Sequence, residues 1–137
     1  MKRNKSQAGP KGFTLLELMI AVVLMGLGLL GMLLANTYIQ RTSEAAYERM
    51  VATQDAHRVI ELMRNVSSNG NFPANVTGTY PSGAAVPGFT NLTGEQVVVA
   101  YANSLADPLD ITVTTLWLEL GRRNTTVQLR TLMTKRT

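Results

Sequence analysis

The chain has 137 residues, no cysteine, a single histidine and a formal net charge of +4. This length predicts one small domain, and the lack of cysteine excludes a disulfide bond that would close it. One histidine without cysteine or clustered acidic residues supplies neither a zinc site nor a nucleophile–base pair, so we predict a protein that is not an enzyme and needs no cofactor.

Residues 1–12 form a short basic leader. The rest of the chain holds nine basic and nine acidic residues, so the net positive charge belongs to the leader. Basic residues beside an apolar segment favour the cytoplasmic side of a membrane. The charge therefore gives little support to a nucleic-acid-binding face, and we predict no nucleic-acid partner. The basic residues of the leader are Lys2, Arg3, Lys5 and Lys11.

An apolar anchor follows the leader at residues 13–35. From Leu18 to Gln40, 23 consecutive residues carry no charge. A helix that rises about 1.5 Å per residue makes this run roughly 35 Å long, enough to cross a hydrocarbon core of about 30 Å. Glu17 is the one carboxylate at its start, and such a group costs about 2.5 kcal/mol or more at the bilayer centre. Glu17 therefore lies at headgroup level or pairs with a group of another chain.

The hexapeptide Gly12-Phe13-Thr14-Leu15-Leu16-Glu17 resembles the class III signal of type IV prepilins. That family has Gly, then Phe or Met, Ser or Thr, two apolar residues and Glu, between a basic leader and an apolar helix. The resemblance implies that prepilin peptidase cleaves between Gly12 and Phe13 and methylates the new amino terminus of Phe13. An ordinary secretory signal needs a small-residue cleavage site after the apolar run, and residues 31–36 match such a site poorly.

Gly26, Gly28 and Gly31 match the pattern G-x-G-x-x-G inside the anchor. No strand precedes them, so the dinucleotide-binding interpretation fails. Small residues favour close helix packing, and each glycine also weakens a helix by about 1 kcal/mol relative to alanine. The resemblance implies that pilin helices lose order at this level in a filament. The run Leu27–Met32 is also similar to the anchor of PilV-type minor pilins, which are called type IV pilus modification proteins.

Residues 36–65 continue as a predicted amphipathic helix. We predict ion pairs between Asp55 and Arg58 and between Glu61 and Arg64, each three residues apart. The other charges lie on a solvated face or meet neighbouring subunits, and the lone His57 is predicted at the surface or an interface. The apolar stripe consists of Ala45, Ala52, Ala56, Val59 and Met63, widened by Ile60 and Leu62.

An uncharged segment at residues 66–94 is rich in glycine and proline, which indicates turns and not periodic structure. We predict an exposed loop that Phe72, Tyr80 and Phe89 pin to the domain.

Residues 95–137 are predicted to form an antiparallel β-sheet region, because they contain a short β-branched run and two longer runs that alternate between two faces, as strands do. The predicted strands are Gln96–Tyr101, Asp110–Leu120 and Thr125–Met133, with a hairpin connection between the last two. We predict an α+β fold in which an antiparallel sheet of three or four strands packs on the amphipathic half of the helix. One sheet face buries Trp117 against Val59 and Met63. The basic residues near the C-terminus are predicted to be solvated.

The resemblance implies the type IV pilin-like fold and the function of a minor pilin, in which Glu17 acts in filament assembly. Its implied partners are prepilin peptidase, other major and minor pilin subunits, the inner-membrane assembly machinery and the membrane itself. Before assembly the chain would cross the bacterial inner membrane once with its N-terminus in the cytoplasm, and afterwards it would lie in a pilus at the cell surface. A type II secretion pseudopilin, and a membrane-anchored adaptor outside any filament, remain as alternatives.

Overall fold

The computed structural model describes residues 12–68 and 70–135. The predicted leader before Gly12, and Arg136 at the basic C-terminus, lie outside the described residues. The described chain forms helix α1 (Leu15–Ser67) and a short helix α2 (Ala74–Thr79). Four strands follow: β1 (Ala85–Val86), β2 (Gln96–Tyr101), β3 (Leu109–Glu119) and β4 (Arg123–Met133). A long N-terminal helix followed by a small antiparallel sheet confirms the predicted α+β, pilin-like fold.

The chain divides into two units between Gln40 and Arg41, and α1 contributes to both. The first unit is a stretch of helix with no core of its own, and all of its described residues are exposed. The second unit holds the rest of α1, α2 and the sheet. All of the core residues belong to this second unit.

The sheet has the order β1-β2-β3-β4, and all neighbouring strands are antiparallel. β3 and β4 pair one to one from Leu109 opposite Met133 to Glu119 opposite Arg123. The three predicted strands are confirmed, with bounds that move by one or two residues. A fourth strand, β1, lies beside β2 at the edge of the sheet opposite β4, and it has only two residues.

One stripe of α1 packs against one face of this sheet. Ala52, Ala56, Val59, Ile60 and Met63 are buried, which confirms most of the predicted stripe. Leu62 remains 39% exposed, so its assignment to the stripe is wrong. It lies about 100° around the helix from Met63, beyond the arc that the sheet covers.

Alternation along β3 places one set of side chains in the core. Ile111, Val113, Thr115 and Trp117 are all buried, while the residues between them face outwards and are less covered. Side chains two residues apart share a face of a strand, so this one strand supplies the centre of the core.

Trp117 is 2% exposed, but its neighbours differ from those predicted. Its indole Nε1–H donates to Glu48 Oε2 at 3.2 Å, whereas Val59 and Met63 share a cluster with Ile111. From Ile111 to Trp117 a strand advances about 20 Å. A helix needs about 13 residues for the same distance. Trp117 therefore lies near position 48 of the helix, and its predicted packing against Val59 and Met63 is wrong.

The uncharged segment is more ordered than predicted. It contains α2 and β1, and Val76 and Phe89 are buried in the core, so the prediction of an exposed loop is wrong for these residues. The predicted pinning is confirmed, because Phe72 and Tyr80 pack against the same core cluster as Phe89. The Tyr101 hydroxyl donates to the Tyr80 carbonyl at 2.7 Å, and burial raises the pKa of Tyr101 to about 12.

The Thr115 hydroxyl gives a first testable prediction. Thr115 is fully buried, and its Oγ1 has no hydrogen-bond partner among the described residues. A buried hydroxyl without a partner costs about 1–3 kcal/mol, so Thr115→Val, which keeps the shape, is expected to stabilise the domain by about 1 kcal/mol. Urea unfolding measures this change, with Thr112→Val on the outer face as the matched control. Destabilisation by Thr115→Val alone would contradict the expectation.

Candidate functional site: the N-terminal segment and the apolar helix

The segment Gly12–Thr14 precedes α1 and is not helical. Thr14 caps the helix, because its Oγ1 accepts a hydrogen bond from the Glu17 backbone N–H at 3.3 Å. The Thr14 carbonyl accepts the next bond, from the Leu18 N–H at 3.2 Å. A threonine followed three residues later by glutamate is a common helix start, and an acidic residue in the first turn favours the helix dipole.

This cap is a feature that sequence analysis missed, although the pattern Thr-x-x-Glu indicates it. The bond uses the backbone of Glu17 and leaves the carboxylate exposed to solvent. Phe13 is 84% exposed, so the Gly12–Phe13 bond lies in an accessible, non-helical stretch beside the helix start. An accessible, non-helical bond is what a protease needs in order to bind its substrate.

The apolar part of α1 is exposed along its whole length within this chain. By length and composition it is able to cross a membrane, and none of its most apolar stretch is buried. Leu16, Leu24 and Leu34 are each at least three-fifths exposed. A continuous apolar surface of this kind needs lipid or other protein chains to cover it.

The helix continues without a break through Gly26, Gly28 and Gly31. A Cβ atom added to any of the three would meet nothing within 4 Å. Close packing inside this chain therefore does not require these glycines, and contacts with other chains or local softness remain as their predicted uses.

Residues 8–33 match the family model of the prokaryotic N-terminal methylation motif. The chain carries a prepilin-type signal. No curated protein and no solved structure matches the chain. The motif indicates a type IV pilin-like or pseudopilin-like protein and favours the role of a structural subunit. The motif also implies processing by prepilin peptidase and assembly with other pilins. The exposed apolar helix of the chain fits a membrane-anchored pilin.

Polar contacts hold the second unit of this pilin-like chain together. The Glu48 carboxylate on α1 accepts a hydrogen bond from the Trp117 indole. It also accepts one from the Leu120 backbone N–H, at 3.1 Å to Oε2. Leu120 has a φ of 51°, a value that non-glycine residues rarely adopt. Glu48 thus links the helix by hydrogen bonds to the strained turn between β3 and β4.

Glu119 forms a second link between the helix and the sheet. Arg49 Nη2 on α1 lies 3.0 Å from Glu119 Oε1, and Arg123 Nη2 on β4 lies 2.8 Å from Oε2. Burial by itself would raise the pKa of Glu119, but the hydrogen bonds and charges of the two arginines outweigh it and lower that pKa. Glu48 and Arg49 therefore bind the chain's own sheet, which was not predicted from the sequence.

The predicted ion pairs of α1 have different outcomes. Glu61 and Arg64 form the predicted pair. Asp55 is buried and accepts a hydrogen bond from Asn91 Nδ2 at 2.9 Å, so its predicted pairing with Arg58 is wrong. The Arg58 guanidinium lies 5.9 Å from the centre of the Phe89 ring instead. His57 is exposed, as predicted.

The carboxyl groups of Asp55 and Glu95 lie close together near Asn91. Glu95 Oε2 accepts the backbone N–H groups of Asn91 at 2.8 Å and Leu92 at 3.1 Å, while Oε1 is buried. Burial is the main cause that raises the pKa of Glu95, and the neighbouring Asp55 carboxyl raises it further. The two backbone hydrogen bonds lower this pKa but do not outweigh the other two effects.

We expect Glu95→Gln to stabilise the domain at neutral pH more than at acidic pH. A carboxyl whose pKa is raised on folding stabilises the fold fully at low pH and loses this contribution as pH rises through its folded-state pKa. Glutamine stays neutral, so the advantage of the variant grows as pH rises from 4 to 7. The gain is expected to be about 1 kcal/mol or less, because Glu95 is partly exposed and solvent screens the pair.

Thermal unfolding of wild type and variant across this pH range tests the expectation. Glu61→Gln on the exposed face of α1 is the control for a general change of charge. An advantage of Glu95→Gln that stays constant or shrinks towards pH 7 would contradict it.

Proposed function

We propose that the chain is a minor pilin of a bacterial type IV pilus, which prepilin peptidase processes before it enters the filament or its tip. The single observation that carries the proposal is the methylation motif over residues 8–33, which covers the predicted cleavage site and most of the exposed apolar anchor. In this role the chain supports pilus assembly, adhesion or motility. The similarity of Leu27–Met32 to the anchors of PilV-type minor pilins favours this role over that of a secretion pseudopilin.

The proposed pathway begins in the inner membrane, where the leader faces the cytoplasm and the apolar helix crosses the bilayer once. Cleavage after Gly12 exposes the amine of Phe13, which the same peptidase methylates. The inner-membrane assembly machinery then moves the helix from lipid into the pilus. Lipid and neighbouring pilin helices are both apolar, so the transfer costs little apolar burial.

Glu17 supplies the specificity in this proposal. In the filament core its carboxylate pairs with the N-terminal ammonium of an adjacent subunit. A buried charge without a partner is costly, so the pair selects the register in which the two groups meet. The Thr14 cap fixes the start of the helix at Leu15, two residues before Glu17, and therefore the height of the Glu17 carboxylate relative to Phe13.

Co-expression of the chain with prepilin peptidase tests the proposal. Mass spectrometry is expected to show loss of the first twelve residues and one added methyl group on Phe13. Gly12→Val, which adds a branched side chain at the scissile bond, is expected to remain uncut. An uncut and unmethylated wild-type chain would contradict the filament role and favour the membrane-anchored adaptor.

Sheared pili from the native cell then separate the two filament roles. A minor pilin is expected in the pilus fraction, whereas a pseudopilin is expected with the secretion system and in a secretion operon.

A further inference from the structure

Strand β4 leaves one edge of the sheet free over its whole length. It is the outermost strand and has eleven residues. Its backbone groups pair with β3 on one side, and no other described segment forms a backbone hydrogen bond with its outer side. Such an edge presents a row of unpaired N–H and C=O groups, which is a template for another strand.

Two usual protections of an edge strand, a bulge and a proline, are missing from β4. The one-to-one register with β3 leaves no room for a bulge, and the strand contains no proline. Its only charged residues are Arg123 and Arg130, and both form ion pairs with carboxylates of β3, at Glu119 and Asp110. Both arginine side chains are mostly exposed, but the paired carboxylates balance their charges and so weaken the protection that charged side chains give an edge strand.

The core-facing side of β4 is only partly covered. Val127 and Leu129 are half-buried, whereas Val113, which pairs with Leu129 and shares its face, is fully buried. The helix thus covers the inner face of β3 and leaves Val127 and Leu129 partly exposed beside the free edge.

We propose that β4 pairs with an extended segment of another polypeptide chain, which adds a fifth strand to the sheet. Backbone hydrogen bonds would supply most of the affinity, as in other cases of strand addition. The segment fits best if its side chains alternate, with apolar residues towards Val127 and Leu129 and polar residues beside Gln128. This inference rests on the proposed function, in which the other chain is a neighbouring filament subunit.

Hydrogen exchange along β4 tests the pairing directly. The processed chain in detergent micelles is compared with the same processed chain in pili assembled with its co-expressed pilin subunits. In micelles, alternate amides of β4 are expected to exchange rapidly because only every second residue bonds to β3. In pili, the rapid amides are expected to slow by at least about tenfold, while those bonded to β3 are slow in both samples.

Two outcomes separate this inference from the proposed function. If the chain enters pili and the alternate amides still exchange at their micelle rate, the strand addition is wrong and the minor-pilin role stands. If the chain never enters pili, the proposed function fails and the inference fails with it.

A matched pair of variants strengthens the test. Val127→Lys places a charge on the core-facing side of the edge, and Gln128→Lys places the same charge on the outer face. Only Val127→Lys is expected to lose the slow exchange in pili, because inward charges block the addition of a strand. Thr125→Lys repeats the inward change if Val127→Lys does not fold. Slow exchange retained in the folded inward variants would overturn the proposal.

Discussion

Glu17→Ala is expected to leave cleavage and methylation of the chain intact and to reduce its incorporation into pili by at least about 100-fold. Removing one partner of a buried ion pair costs about 3–5 kcal/mol, because the other charge remains without a partner. In the filament core that remaining charge is the N-terminal ammonium of a neighbouring subunit. The amount of the chain in sheared pili, relative to the cleaved form in the membrane, measures the effect.

Two further variants separate charge from helix structure. The capping bond of Glu17 uses its backbone, so Glu17→Ala keeps the bond and Thr14→Ala removes it. Loss of a cap costs about 1 kcal/mol, so Thr14→Ala is expected to reduce incorporation far less. Glu44→Ala, an exposed acidic change further along α1, is expected to have no effect. Equal losses in Thr14→Ala and Glu17→Ala would show that the helix start, and not the carboxylate, is required.

Trp117→Ala is expected to destabilise the sheet domain by about 3–5 kcal/mol. Trp117 is buried and also donates a hydrogen bond to Glu48. A small domain has a total stability of only about 5–15 kcal/mol, so this change removes a large share of it. Hydrogen exchange of the β3 amides in urea measures the loss, because an apolar helix in micelles would keep much of the circular dichroism signal.

Trp117→Phe divides the effect into packing and hydrogen bonding. It keeps an aromatic ring but leaves Glu48 without the indole donor, and a hydrogen bond to a charged group contributes about 1.5–3 kcal/mol. We therefore expect Trp117→Phe to fall between wild type and Trp117→Ala. A change of less than about 1 kcal/mol for Trp117→Ala would contradict the assigned core position.

Much of the fold was predictable because its signals are local. The apolar run of α1, the stripe from Ala52 to Met63 and the alternation along β3 each depend on spacing within one element. Local patterns also account for two errors. Leu62 is apolar but lies beyond the arc that the sheet covers, and Val76 is a single apolar residue in a segment without periodicity.

The contacts of the charged residues were not predictable in the same way. Asp55, Glu48 and Arg49 look like parts of a solvated helix face when the helix is considered alone. Their partners Asn91, Trp117 and Glu119 lie tens of residues away in sequence. A strand advances about twice as far per residue as a helix, so the pairing depends on how the two elements align.

The sequence by itself determined the prepilin signal, the apolar helix and the α+β class, because each is carried by neighbouring residues or by short periodic patterns. Only the tertiary structure decided that Trp117 meets Glu48 and that Asp55 turns to the loop of Asn91. It also showed that β4 ends the sheet with its outer side unpaired. Strand order and the alignment of a helix on a sheet arise from contacts between distant segments, which no local pattern specifies.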